Sequence, residues 1–454
     1  MKSSECSCLL VAGLLLMLTG CWPARSESGH GVVKARTPLP ATRAAKPSAG
    51  GVRFGLNCFL GNLQHSEIRG PLVRPTALDR THYLDAVRDL GMTSIRETFM
   101  NWAEIEPQRG EGYELEAFDD IARKASERGI EIVGLAYPFP CWATGAAPTP
   151  KDQLFSSMWQ LPRREFEQDF RVFVRSMVKR YCGQYSESLS LNIPIRQWIF
   201  SNELDAFKAS PDECAFWQKV FCEEVKRTDP GAKVITIGLC VLPGTAFLDA
   251  FLDSPELKGP GYPYFDAVTY HCYIGLNAKD IYMMNAAAGN IRRSLHARSI
   301  DAELWLDETG DRSPDRARQA AQDVKLLLHA ASNGVSRVNL HGLWSFGETD
   351  LWGVLEDAQS GQVPTRKPSF TAFQTLQKMI GENRGVQFLC PGRYLAMLPD
   401  GRAVYGLWAE APNLELFDLL RGRVKVTTLR NEEKTIDAAE LKLSDEPVFV
   451  EVLK

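Results

Sequence analysis

The sequence predicts an α/β fold, a (β/α)8 TIM barrel with a small C-terminal antiparallel β-domain. Three observations carry that expectation. Between residues 51 and 382 short apolar runs alternate eight times with amphipathic stretches, the pattern of a parallel sheet covered by helices. Past Ile380 the helical period stops, and residues 383–454 turn to short alternating segments separated by turn signals. The chain has 454 residues, 44% hydrophobic and 24% charged, which is enough for one large barrel with an addition and is the balance of a packed core.

The barrel strands are expected at 52–57, 93–98, 131–136, 195–201, 233–238, 265–271, 303–308 and 336–342. Between them the 3.6-residue period predicts helices over 79–90, 116–128, 165–181, 211–228, 279–297 and 313–332. Gly91, Gly129 and Gly334 each follow such a run and read as helix-terminating glycines. Ser210-Pro211 reads as an N-cap Ser with Pro at the first helical position. The competing architecture, a doubly wound open sheet, would place a glycine-rich phosphate turn after the first strand, and GLNCFLG is not one. In the last segment Arg393–Leu398, Arg402–Trp408 and Glu446–Val452 read as strands, with Asp400-Gly401 turning the first hairpin.

Ahead of the barrel, Lys2 precedes the apolar run Leu9–Leu18, which is too short to span a bilayer and suits a signal peptide. Leu18-Thr19-Gly20-Cys21 resembles a bacterial lipobox, with Cys21 as the lipidated residue. Residues 1–20 are therefore expected to be a lipoprotein signal and 21–50, rich in Pro, Ala, Ser and Gly, a flexible tether. The expected location is the cell envelope, with membrane contact through the N-terminal lipid only. Fifty-two basic residues against 56 acidic ones give a net charge of −4, which argues against a nucleic-acid partner. Eight cysteines follow Cys21 without any CxxC spacing, so neither a zinc ribbon nor a redox motif is present. No HExxH and no GxSxG occurs, and His271-Cys272 is not metal spacing.

In such barrels the chemistry sits at the C-terminal ends of the strands. The fourth strand ends in Phe200-Ser201-Asn202-Glu203, and the seventh in Trp305-Leu306-Asp307-Glu308. Two carboxylates on strands 4 and 7 would face each other across the barrel mouth. Such a pair suits glycoside cleavage with retention, one carboxyl as acid/base and the other as nucleophile. Strand positions alone do not say which is which. Asp307, next to Glu308, should point to the other face because side chains alternate along a strand. Glu97, Glu104 and Glu106 read as surface carboxylates near strand 2. The loop 137–164, with Trp142 and Trp159, and the Gly-Pro-rich segment 253–264 are expected to line subsites.

WIFSNELD, HCY and WLDETG resemble the strand 4, 6 and 7 signatures of the retaining clan A glycoside hydrolases. Ile95-Arg96 followed by Asn101-Trp102, Trp344 after strand 8, and KPSFTAF on the last helix fit as well. The resemblance covers residues 52–380 and is nearest in flavour to families 39 and 5. It implies Glu203 as acid/base and Glu308 as nucleophile, without a cofactor or metal, on an oligo- or polysaccharide. It further implies that Asn202 contacts the sugar 2-hydroxyl, that His271 and Tyr273 hold the nucleophile, that Arg96 keeps Glu308 ionised, and that Trp344 offers its face to a sugar ring. Leu204-Asp205 stands where many members have a Pro after the Glu. The alternative function is a glycan-binding or cell-surface structural barrel whose catalysis has lapsed.

Overall fold

The structure is a computed structural model that describes residues 51–61, 76–147, 159–207, 209–240, 244–273, 280–345, 352–356, 361–410 and 420–453. The leader, the tether and Cys21 lie outside the described residues.

Eight parallel strands close a barrel in sequence order. They are β1 (Arg53–Cys58), β2 (Ser94–Glu97), β3 (Glu131–Ala136), β4 (Gln197–Phe200), β5 (Lys233–Leu239), β6 (Ala267–His271), β7 (Glu303–Thr309) and β8 (Arg337–His341). The helices that follow them in turn are α1 (Ala77–Asp89), α2 (Glu116–Glu127), α3 (Glu167–Tyr181), α4 (Pro211–Thr228), α5 (Ala246–Asp253), α6 (Met283–His296), α7 (Arg316–Ser332) and α8 (Pro368–Ile380). Every expected barrel strand is present. The three glycines that end helices hold positive φ, 75° at Gly91, 72° at Gly129 and 71° at Gly334, the left-handed geometry that a side chain resists.

Local chemistry sets the helix starts. Thr76 accepts from the Asp79 amide and Asp79 returns the bond, a reciprocal cap for α1. Asp315 accepts from the amides of Ala317 and Arg318 at the start of α7. Ser210 occupies the cap position of α4, but its side chain makes no cap hydrogen bond. Pro211 starts that helix through its fixed φ instead.

The barrel interior is stratified. At the strand starts Arg337 donates to Glu131 at 3.0 Å, to Gln197 at 3.0 Å and to Ser94, while Lys233 pairs with Glu303. Above this polar plug Val133, Leu135, Ile199, Ile235, Ala267 and Trp305 form an apolar inner core. The buried Arg337 guanidinium is paired with Glu131, as buried charge must be. The layer above it, at the strand ends, is the candidate site.

The C-terminal domain is a six-stranded antiparallel sheet of β9 (Val386–Cys390), β10 (Arg393–Met397), β11 (Ala403–Leu407), β12 (Arg423–Thr428), β13 (Glu433–Asp437) and β14 (Val448–Val452), in the order β13-β12-β14-β11-β10-β9. Strands β9, β12 and β13 are additions to the sequence expectation. Strand β12 buries Val424 and Val426 inside the sheet, whereas β13 is an edge strand that leaves its Glu, Lys and Thr residues exposed. Tyr394 docks the sheet on the barrel: it stacks on Trp408 and meets His329 of α7 at 2.7 Å. Asn383 joins the domains by receiving the Val52 amide at 3.1 Å and donating to the Val52 carbonyl at 3.0 Å. The eight cysteines of the described residues are free thiols, seven of them buried. No helix among the described residues is long and apolar enough to cross a membrane.

Candidate active site

Strand β4 delivers Glu203 through a strained turn. Ser201 and Glu203 both adopt positive φ, 58° and 50°. Such backbone costs on the order of 1–3 kcal/mol per non-glycine residue and persists where surrounding contacts over-determine it. Here the Glu203 amide donates to the Gly238 carbonyl at 2.9 Å, and Asn202 bridges to Gly238 of β5. Gly238 is required for a second reason. A Cβ there would run into Nε2 of His271. The missing side chain on β5 therefore gives the imidazole its place beside Glu203.

Glu308 is held from several sides. Arg96 Nη1 on β2 donates to its Oε1 at 2.6 Å, and the Tyr273 hydroxyl donates to its Oε2 at 2.7 Å. His271 Nδ1 lies 3.5 Å from Oε2, and His341 Nδ1 of β8 lies 3.8 Å away. Burial by itself would raise the pKa of this carboxyl. The charges of His271, Arg96 and His341, with the Tyr273 hydrogen bond, outweigh it and bring the group down to about 2. Tyr273 moves the opposite way, well above the ordinary phenol value, through burial and the negative charge of Glu308 and Glu203. It stays a hydrogen-bond donor.

His271 is fully buried and sits between carboxylates, with Nδ1 2.6 Å from Glu203 Oε1 and Nε2 3.3 Å from Asp307 Oδ1. Burial pulls its pKa down, but Glu308 and Asp307, with hydrogen bonds to Asp307 and Glu203, hold it well above the ordinary imidazole value. Asn202 accepts from Arg96 Nη2 at 2.5 Å, which fixes the amide beside the pair. Oxygens of Glu203 and Glu308 and a nitrogen of His271 lie within 4.8 Å of one another. That is also the footprint of a cation site, yet Arg96 already holds Glu308, and a metal there would face the guanidinium.

The structure brings Glu203, Glu308, Arg96, Asn202, His271 and Tyr273 together. It departs from expectation at Trp344, which is 2% exposed with its ring stacked on Tyr83 of α1 at 4.5 Å. That ring belongs to the layer between barrel and helices, and has no open face for a sugar. Trp352 lies nearer the site, 4.9 Å from Tyr273 and 6.2 Å from His341. The sequence before it has no periodic signal, so nothing local marks it.

Asp307 is the second departure. The β6–β7 register shifts between Tyr270 and His271, and the β7–β8 register between Leu306 and Thr309. Trp305 lies in the inner core and Leu306 outside it, so alternation carries Asp307 into the barrel, and the bulge turns Glu308 in beside it instead of outward. Asp307 is fully buried, with Oδ2 3.1 Å from Arg96 Nε.

The carboxylates after β2 are anchors, not surface groups. Glu97 is fully buried and accepts from the amides of Leu60 at 3.0 Å and Gly61 at 3.2 Å. Glu106 accepts from Trp102 Nε1 and the Gly110 amide, both at 2.8 Å, and Glu104 bonds Asn101. Of the two loop tryptophans, Trp159 packs on the inner core containing Tyr137 and stacks on Phe207 at 4.0 Å, whereas Trp142 is spent on packing against Trp102. The 253–264 segment joins α5 to β6 and so lies at the N-terminal face, away from the site, as any helix-to-strand connection in such a barrel must.

No protein-family model matches the chain, and no curated protein matches it by sequence. Solved structures do match. A family 39 glycoside hydrolase from the gut symbiont Bacteroides cellulosilyticus WH2 superposes with TM-score 0.63 at 17% identity, over 89% of this chain and 81% of its own. A GH30 endoxylanase from Clostridium papyrosolvens C71 gives 0.56 at 13%, over 90% and 98%. A thermostable GH51 α-L-arabinofuranosidase from Thermotoga petrophila RKU-1 gives 0.56 at 15%, also over 90% and 98%. At these identities the likeness establishes the fold, a parallel eight-stranded barrel with an appended β-domain.

Proposed function

We propose that this chain is a retaining glycoside hydrolase acting on an oligo- or polysaccharide by double displacement. The observation that carries the reading is the Glu203–Glu308 pair, with an oxygen of each within 4.8 Å of the other, Glu308 buried and Glu203 partly exposed. That approach suits retention, whose carboxyls stand about 5–5.5 Å apart, and not inversion, which needs about 6.5–9.5 Å for a water. The structural neighbours support the same class, since those named above are glycoside hydrolases.

The surroundings also favour one assignment of roles. Glu308, with a side chain 8% exposed and fixed by Arg96 and Tyr273, is the carboxylate kept ionised to attack the anomeric carbon. Glu203, with a side chain 25% exposed, faces the solvent side from which a leaving group departs. In the first step a Glu308 oxygen bonds the anomeric carbon, the bond to the leaving oxygen breaks, and the Glu203 proton moves to that oxygen. In the second step Glu203 takes a proton from water, whose oxygen displaces Glu308 from the anomeric carbon. Asn202, oriented by Arg96, donates to the 2-hydroxyl. Buried Asn57, in register with Arg96 and His341, has no hydrogen-bond partner for its side-chain amide among the described residues. A sugar hydroxyl or a water there would offset a cost of about 1–3 kcal/mol.

The test is a panel of aryl glycosides and natural polysaccharides assayed against the full chain, with Glu308→Gln as control. Hydrolysis that disappears in the control supports the enzyme and names its sugar. A folded protein silent on the panel that binds a glycan array would instead be a glycan-binding barrel. Export and anchoring through Cys21 belong to the same proposal and rest on Leu9–Leu18 and the Leu-Thr-Gly-Cys sequence. Radiolabelled lipid incorporation into the parent but not into Cys21→Ser tests them.

A further inference from the structure

Asp307 has no part in the double displacement, yet it is fully buried and aimed at the centre of the site. A buried carboxylate is retained at a cost unless it is paired. Its oxygens lie 3.1 Å from Arg96 Nε and 3.3 Å from His271 Nε2. The imidazole thus has an acceptor on each side, Asp307 at Nε2 and Glu203 at Nδ1. An imidazole can donate to both only as the imidazolium.

We propose that Asp307 is a positioning residue that keeps His271 as a fixed imidazolium between Glu203 and Glu308, so that one stationary cation serves whichever glutamate carries the negative charge. The inference rests on the glycosidase reading for its catalytic consequence. Before attack Glu308 is the anion and Glu203 holds the proton. In the glycosyl-enzyme Glu308 is an ester, neutral, and Glu203 is the anion. One negative charge has crossed the site. His271 Nδ1, 2.6 Å from Glu203 and 3.5 Å from Glu308, is near both ends of that path. A cation already in place needs no reorganisation as the charge moves, which is how preorganised electrostatics lowers a barrier. Arg96 cannot do this alone, because its contacts are with Glu308, Asp307 and Asn202.

The groups facing the imidazole are few and named. Glu203 comes from the end of β4, Asp307 and Glu308 from β7, and Tyr273 from the end of β6. Beyond them stand Arg96 on β2, Tyr137 after β3, Cys240 after β5 and His341 on β8. On β5 itself Gly238 presents only backbone. Among these groups Asp307 is the one that faces Nε2 with a carboxylate.

Nitrogen-15 histidine NMR on the full chain tests this without any substrate, with His271→Asn to assign the resonance. The expected result is that both ring nitrogens of His271 stay protonated up to about pH 8, far above the ordinary midpoint near 6.5. In Asp307→Asn the ring should titrate near that ordinary value. The kcat of this variant should then fall at least about tenfold more at pH 8 than at pH 5.5, with KM within about threefold, the signature of a group that stabilises the transition state and not the bound sugar. Asp307→Glu, which keeps the charge, should recover part of the loss. A single protonated nitrogen in the parent at neutral pH overturns the proposal even if Asp307→Asn does not fold. So does an Asp307→Asn variant that leaves the titration unmoved. A parent that hydrolyses nothing would instead count against the glycosidase reading, and the NMR result would still decide the charge on His271.

Discussion

Arg96 and Glu308 stand 212 positions apart in the chain and meet at 2.6 Å with side chains 2% and 8% exposed. Strands β2 and β7 lie on opposite sides of the barrel, so the contact crosses its mouth. It fixes where the site's negative charge rests when nothing is bound.

That pair sets a pH dependence. The folded pKa of Glu308 is depressed from 4.5 to about 2, by His271 and Arg96 acting against burial. The carboxylate is therefore ionised throughout the usual assay range, and the stability it contributes is present above about pH 4.5 and lost as pH falls toward 2. Arg96→Met should move the acid limb of kcat/KM upward by about 1–3 units. A pH–rate profile of both proteins checks it, and an unmoved limb would remove Glu308 from the nucleophile role.

The two glutamates should fail differently. Glu308→Gly should lose activity by about 10⁴-fold or more, because no covalent intermediate can form. Glu203→Ala should lose about 10²–10⁴-fold, and least on substrates whose leaving group needs no proton. Azide added to Glu203→Ala should yield a glycosyl azide of retained configuration, and added to Glu308→Gly one of inverted configuration. Product stereochemistry by NMR decides, and reversed outcomes would exchange the roles.

Gly238→Ala places a methyl group against the His271 ring. Displacing the imidazole by about 1 Å should lower kcat by about 10²-fold, while the circular dichroism spectrum stays that of the parent. Full activity would mean that the position of His271 is immaterial.

Glu97 offers a stability test on a carboxyl that does not contact the glutamate pair but anchors the Leu60 and Gly61 amides. Burial raises its pKa from 4.5 to about 7 against the pull of the Leu60 and Gly61 amides. The native state then binds more protons than the unfolded chain between these values, so the contribution of this group falls as pH rises from about 4.5 to 7. Glu97→Gln should gain on the parent across that window, by on the order of 2 kcal/mol. Urea denaturation of both proteins at pH 5 and pH 8 measures it. A difference independent of pH would refute the assignment.

Trp344→Ala should lose about 3–5 kcal/mol of stability, as large buried aromatic truncations do, since its ring fills the space against Tyr83. Trp352→Ala should instead act on KM. Thermal denaturation beside steady-state kinetics separates the two.

Much of this was legible in the sequence because it is written in short-range patterns. Alternation of period 2 and 3.6 marked all eight barrel strands, and the ends of β4 and β7 placed Glu203 and Glu308 at the mouth because strand ends must gather there. Strand β13 was not legible, since an exposed edge strand needs no apolar face, and β12, interior to the sheet, offers only Val424 and Val426 as apolar residues. Relations between distant segments belong to the tertiary structure alone. Glu308 faces inward beside Asp307 because β7 bulges against both neighbours, and a bulge exists only in the pairing of strands. Trp344 faces α1 and Trp352 faces Tyr273 because of how the chain folds back after β8. The sequence determined that two carboxylates would meet. Which one is kept ionised was decided by Arg96 and Tyr273, brought to Glu308 from β2 and the end of β6, because an electrostatic field depends on distance in space and not along the chain.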